Sequence, residues 1–349
     1  TDKDRAAYSG GLFWHTDHYK TAHTATHRTY SEKNTGDQPY GGGPACEHNY
    51  TTGLLAYYYL TGRESVRDTV LSLADWVVAM DDGNRSAMRF LSDASTGVAT
   101  QCYTPDFHGP SRGSGNSVNA LLDGWILTGD RKYLDYAETI IRRAVHPTED
   151  IDKLDLLNVE ARWSYTVFLV TIGRYLDFKT LHDTRDQMYR YAQASLVHFG
   201  RWMLANERPY FDDLDQLEFP TETWAAQDLR KANVLRLASR YDAEQCDALL
   251  KRADEITQAA IERWSQFDQP VTARSMALLL MEAPREVAIL EQPVLTEEIR
   301  NNDWPERPAF VPQRAHVKAL LTSAPGWFHL ARAAVRPATW RHLLRRGPP

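Results

Sequence analysis

Apolar residues recur at helical spacing over most of the chain. In residues 64–80 (ESVRDTVLSLADWVVAM), Val66, Val70, Leu73, Val77 and Met80 fall three or four apart, which puts them on one face and predicts an amphipathic helix. The preceding residues 50–60 (YTTGLLAYYYL) are apolar nearly all round and predict a helix stopped by Thr61-Gly62. Together they make an antiparallel hairpin. The same unit returns about 67 residues later as 117–127 (SVNALLDGWIL), Thr128-Gly129 and 131–145 (RKYLDYAETIIRRAV), so the chain carries an internal repeat. In each copy the first helix is apolar and the second amphipathic, as an inner and an outer helix should be.

Looser pairs follow, 159–178 with 182–205 and 222–240 with 243–267. Residues 272–281 and 317–335 are the last helical candidates, the latter broken at Pro325-Gly326, with a proline-containing irregular stretch, 283–312, between them. Strand signals are confined to Tyr103-Thr104 and Phe310-Val311, and long alternating runs are absent. The expectation is an all-α chain of five or six helical hairpins, an (α/α)5-6 toroid. Its domain spans 1–335, with a histidine-rich loop at 10–53, and 336–349 form a tail whose arginine-rich 341–346 reads as solvated. Ring closure is preferred over an open solenoid because polar, aromatic clusters gather at the starts of the inner helices. A ring brings those starts to one end and one cleft.

Composition narrows the function classes. With 349 residues, 43% hydrophobic and 11% aromatic, the chain can bury a sizeable core. A net charge of −6 and a pI near 6.1 argue against a nucleic-acid surface, so an anionic ligand must be met by a local cluster of Arg, Lys and His. Cys46, Cys102 and Cys246 show no zinc spacing, and one bridge such as Cys46 to Cys102 stays open. No apolar run reaches the roughly 18–20 residues of a bilayer span, so no membrane insertion is expected. The chain starts at Thr1-Asp2 without Met or signal peptide, which suits a mature product or a piece of a longer protein.

The densest chemistry lies in residues 10–53, where His15, His18, His23, His27 and His48 are five of the twelve histidines. Glu47, Asn49, Gly41-Gly42-Gly43-Pro44 and several aromatic residues accompany them. No apolar stripe runs beside the histidines, so the stretch reads as an ordered loop over a cavity. The bland alternative is a packed lid whose histidines satisfy loop backbone. Four clusters then recur at predicted helix starts: Glu47-His48-Asn49-Tyr50; His108 to Arg112 with Asn116; Asn158, Glu160, Arg162 and Trp163 with Tyr165; and Thr221-Glu222-Thr223-Trp224 with Gln227, Asp228, Arg230 and Lys231. Each alone has an ordinary structural explanation, such as capping or a local ion pair. Trp14, Tyr19, Tyr30, Tyr40, Trp163 and Trp224 add flat apolar faces. Flat faces beside convergent polar groups suit a sugar ring, which makes a polysaccharide or oligosaccharide the leading ligand.

The GGGP-x-C-E-H-N-Y-T-T-G segment (41–53), the H-T-D-H-Y segment (15–19) and the T-E-T-W-x-x-Q-D-x-R-K segment (221–231) resemble the α/α-toroid domain of carbohydrate-active enzymes, nearest to the C-terminal toroid of exo-acting rhamnogalacturonan lyases and their bacterial relatives. Those relatives carry additional β-domains before the toroid, which this chain does not display. The substrate class implied by that resemblance suggests a secreted or periplasmic setting, which the chain itself leaves undetermined.

A lyase eliminates beside a uronate carboxyl, so it needs a base for the C5 proton and a cation or donor for the carboxylate. His48, His108 and Tyr50 are the base candidates; Asn49, Arg112, Arg162 and Arg230 are the neutralisers; His15, His18, Trp14, Asn116, Glu160, Trp163, Trp224 and Asp228 complete the substrate-binding set. A glycoside hydrolase would instead need two carboxylates, about 5 Å apart for retention or roughly 6.5–9.5 Å for inversion, from Glu47, Glu160, Glu222 and Asp228. No cofactor is required. A divalent metal on His15, His18, His23 and His27 is a further option, although their spacing matches no standard zinc pattern. A non-catalytic helical-repeat protein that binds a glycan or protein on its concave face is the alternative from another class.

Overall fold

The computed structural model describes residues 47–81, 96–100, 109–217, 220–268, 272–295, 303–312 and positions 314, 327, 331 and 335. Among the described residues the chain is all-α, with nine helices of ten residues or more and no strand. These are α1 (Thr52–Thr61), α2 (Glu64–Asp81), α3 (Arg112–Thr128), α4 (Arg131–Ala144), α5 (Tyr165–Leu181), α6 (Gln187–Asn206), α7 (Glu222–Ser239), α8 (Cys246–Ser265) and α9 (Ala273–Leu290). None is long and apolar enough to cross a membrane.

The repeat read from the sequence has a common physical basis. Gly62 and Gly129 end α1 and α3 at φ of 66° and 67°, a conformation open to glycine, and their N–H groups donate to Tyr58 O and Trp125 O. The threonine before each glycine donates back to the carbonyl four residues earlier, Thr61 to Tyr57 and Thr128 to Gly124, each at 2.7 Å.

Helices α1, α3, α5, α7 and α9 touch one another in that order and form an inner row. Outside them, α2 packs on α1 and α3, α4 on α3, α6 on α5 and α7, and α8 on α7. Burial follows this division. All of α7 is buried, whereas α8 buries only Leu249, Ala253, Ile256 and Ala260, one stripe at helical spacing. The stripe predicted on α2 is likewise buried at Val70, Leu73, Val77 and Met80.

Helix α1 departs from the inner-helix expectation, since Leu55 is its one buried residue. It starts beside the last third of α3, where Thr51 donates to Asp123 at 2.6 Å. Being central, α7 must carry its charges indoors, and its cations are matched: Arg230 by Glu282 at 2.9 Å, Lys231 by Glu207 at 2.7 Å and Arg236 by Asp254 and Glu286 at 2.9 Å, with Arg240 just past its end matched by Asp177 at 2.8 Å.

Several boundaries differ from the sequence reading. Helix α3 begins five residues early, at Arg112, because Ser111 and Ser114 form a reciprocal capping box and the glycines inside it allow close packing. The stretch predicted over 159–178 breaks at Trp163-Ser164, leaving a single turn, Val159–Arg162, ahead of α5. Helix α9 runs through Pro284, so the first part of the predicted irregular stretch is helical. Of 317–335, only Trp327, Ala331 and Val335 are described, all helical.

Gly200 shows how tightly the layers meet. A Cβ there would lie 2.4 Å from the Ala238 Cβ, so α6 and α7 cannot hold their separation around any larger residue. Gly200→Ala is expected to cost about 1–3 kcal/mol by overpacking, against the gain of about 1 kcal/mol that alanine brings to an open helix interior. Urea denaturation checks it: an unchanged or raised midpoint would mean the helices part freely.

An extended run, 303–311, lies across the outer helices. Trp304 meets the Tyr191 ring edge-on at 6.0 Å, Arg307 pairs with Glu149 at 2.5 Å, and Phe310 lies 5.0 Å beneath the Arg143 guanidinium. Thr96 then donates its N–H to Val311 O at 2.9 Å.

Candidate functional site

The segment ahead of α1 brings Glu47 to the start of α3. Residues 47–51 run alongside that helix, whose Arg112, Asn116, Asn119 and Asp123 recur at spacings of four, three and four and so form one polar stripe. Arg112 donates Nε to the Glu47 carboxylate at 3.0 Å and Nη2 to the same oxygen, while Asn116 Nδ2 donates to Glu47 O at 2.6 Å. Further down the stripe, Arg174 of α5 donates to Asn119 Oδ1 at 2.9 Å and to the buried Asp123 carboxylate. Asn49 donates to Leu73 O at 3.4 Å, tying the segment to α2.

His48 is buried and Tyr50 is 46% exposed; their rings stack at 5.8 Å with 23° between planes. Tyr50 is therefore the member of the pair that reaches solvent.

The break before α5 positions Trp163. Its indole lies 5.4 Å from the Arg112 guanidinium carbon and 5.0 Å from that of Arg274, in the first turn of α9. Both distances fall within cation–π range. Trp163 also adjoins a cluster formed by Tyr210, Leu217 and Trp224, with Val159 and Phe211 at its margin. Next to Arg274, the Thr272 hydroxyl donates to the Glu222 carboxylate at the start of α7. Groups from the starts of α3, α5, α7 and α9 thus meet at one end, joined there by Glu47 from the segment ahead of α1.

Behind this end lies a buried polar cluster. Lys231 Nζ contacts Glu207 at 2.7 Å, Asp228 at 3.5 Å and Arg208 O at 2.7 Å, and sits 3.3 Å from the centre of the Tyr210 ring. Tyr165 donates to Glu207, and the Tyr210 N–H donates to Asp228 at 3.1 Å. Burial pushes the Asp228 carboxyl up to about 7, against the pull of Lys231. Burial and the neighbouring carboxylates also hold the Tyr165 and Tyr210 phenols well above their usual range.

Glu47, Arg112, Asn116, Trp163, Glu222 and Trp224 are thus brought to the common end, with His48 and Tyr50 on the same segment as Glu47. Glu160 is exposed and Arg162 half-buried on the turn before Trp163. Asp228 is interior. Arg230 is buried as well, with its guanidinium given to Gln227 at 2.6 Å and to Glu282. Asn49 serves the backbone of α2. His108, Trp14, His15, His18, His23, His27, Tyr19, Tyr30, Tyr40, Cys46 and Cys102 lie outside the described residues, so the histidine-rich loop and the suggested bridge do too. Among the described residues no group of three or more His, Cys, Asp or Glu is placed to hold a metal, and Cys246 is a free thiol.

Arg274 and Thr272 were not singled out from sequence, although they begin a fifth inner helix just as the other clusters begin theirs. Glu207 and Tyr210 carry no local signal, since their partners come from α5 and α7, and Glu282 shows in sequence only its neighbour Arg285 and not Arg230. No protein-family model, curated protein or solved structure matched the chain.

Proposed function

We propose that the chain is a carbohydrate-active enzyme domain, an α/α toroid whose inner-helix starts form the active site, and that it cleaves a uronate-containing glycan by β-elimination. The observation that carries this reading is Trp163, an indole beside two guanidinium groups from different helices, at the end where Glu47 and Glu222 also lie. An indole face takes the apolar side of a sugar ring, and guanidinium groups beside it suit a carboxylate on that sugar. Neutralising that carboxylate acidifies the C5 proton, which passes to the stacked His48 and Tyr50 pair while a C4–C5 double bond forms, the C4–O bond breaks and the departing oxygen takes up a proton from solvent. The motif resemblance at 41–53 and 221–231 points the same way.

Ring closure is supported by the two ends of the inner row. Tyr57, Tyr59 and Leu60 on α1 and Leu280, Met281 and Val287 on α9 are exposed apolar residues, the kind of surface that a closing hairpin covers. Trp327, Ala331 and Val335, helical and four residues apart, offer one more apolar stripe in the same chain.

The test is absorbance near 235 nm during incubation with a panel of uronate polysaccharides. The wild type is expected to produce unsaturated ends, and His48→Ala and Tyr50→Phe to slow this by about 10²–10⁴. New reducing ends without absorbance, lost in Glu47→Gln or Glu222→Gln, would assign hydrolysis by a carboxylate pair instead. Binding with neither product would make the domain a glycan-binding module.

A further inference from the structure

Two carboxylates and one ammonium group share the buried space between α6, α7 and the Tyr210 turn. Glu207, Asp228 and Lys231 are each at most 4% exposed. Among the described residues Lys231 is the one cation paired with either carboxylate. From α5 comes the Tyr165 hydroxyl, which donates to Glu207. Arg208 offers its carbonyl to Lys231, and its guanidinium donates to the backbone carbonyl of Glu207 at 2.7 Å and not to either carboxylate. On α7 itself Arg230 is matched by Glu282 of α9, which also takes Arg285. From α8, Arg263 lies over the Phe211 ring at 4.4 Å. With both carboxylates ionised the cluster therefore holds one net negative charge away from water, an expensive state that a single proton relieves.

Geometry selects where the proton sits. Glu207 has the closer lysine contact, 2.7 Å, and also accepts from the Tyr165 hydroxyl. Asp228 has the longer contact, 3.5 Å, and accepts the backbone N–H of Tyr210. Tyr210 in turn packs its ring 5.0 Å from Trp224, within the aromatic cluster that borders Trp163.

We propose that Asp228 holds the single proton of this cluster and acts as a pH-dependent latch: when the proton leaves for solvent, the Tyr210 turn loosens and the aromatic wall beside Trp163 loses its fixed position. The latch is independent of the carbohydrate reading, since it needs no ligand.

The experiment is a titration of the full chain from pH 5 to 9 by near-ultraviolet circular dichroism, with far-ultraviolet spectra to confirm folding. The wild type is expected to lose aromatic signal in one step with a midpoint near 7. Asp228→Asn removes the step, and Glu207→Gln, which deletes the competing charge, moves it to lower pH by about one unit or more. A folded Asp228→Asn protein that titrates like the wild type overturns the proposal, as does a Glu207→Gln step that does not move. If Asp228→Asn does not fold, infrared spectra of wild-type protein carrying 13C-labelled aspartate decide. A protonated carboxyl band present at pH 6 and gone by pH 9 supports the latch, and absence of that band at pH 6 overturns it.

Discussion

Glu282→Ala is expected to destabilise the fold by about 3–5 kcal/mol, the cost of leaving a buried charge without its partner. The carboxylate is fully buried and accepts from Arg230 Nε at 2.9 Å, Arg285 Nη1 at 2.5 Å and Asn233 Nδ2 at 3.1 Å. Its two cationic neighbours hold the carboxyl below its ordinary value in spite of burial, so it is ionised at neutral pH. Removing it strands Arg230, which is also buried and has Gln227 as its other partner. Because folded domains are stable by only about 5–15 kcal/mol, the melting temperature should fall on the order of 10 °C. The double variant Glu282→Leu with Arg230→Met should recover most of the loss, since a buried pair replaced by apolar residues is often neutral. Urea denaturation at pH 7 checks both, and a loss under about 1 kcal/mol in the single variant would show that water reaches the pair.

Lys231→Met is expected to cost a similar amount, about 3–5 kcal/mol, but with a pH dependence that Glu282→Ala lacks. Without the ammonium group, the Asp228 carboxyl loses the charge that opposes its burial and rises further above its unfolded value. A carboxyl whose folded value is raised holds its proton longer in the folded state, and stability falls as pH rises through that value. The loss in Lys231→Met is therefore greatest above pH 7 and shrinks toward pH 5. In the wild type the same sign applies to Asp228 alone, with stability declining between about 4 and 7 as the unfolded chain gives up the proton that the folded one keeps. Equal losses at pH 5 and pH 8 would refute the shared-lysine account.

Helix content was legible where apolar period and turn chemistry agreed. The α2 stripe and the Thr-Gly stops of α1 and α3 follow from a few local residues, and the structure keeps them nearly to the residue. The start of α3 was hidden because Arg-Gly-Ser-Gly-Asn reads as a loop. It becomes helix when Gly115 lets the backbone of Phe168 come within 3.1 Å of where a Cβ would stand. Pro284 read as a stop, but it lies in an exposed turn of α9 whose other face is held by Leu278, Glu282 and Ile289. The meeting of Glu47, Arg112 and Trp163 was anticipated as a gathering of helix starts. The pairings within it were not, because they depend on how far each inner helix is shifted along its neighbour. Arg230 illustrates the limit. Its place in the sequence suggests a residue for ligands, and its structural partner, Glu282, lies 52 positions away.

The run 303–311 changes how such a chain can come apart. Hairpins that touch only their neighbours fray from either end, one repeat at a time. Here Val311 is fastened to Thr96 across 215 positions, with Phe310 against Arg143 and Arg307 against Glu149 on the way. Like a belt drawn round a stack of books, it gives the first hairpins a hold on the last described segment. During synthesis the belt cannot be drawn until residue 311 has been made, so the early hairpins wait for their outer cover.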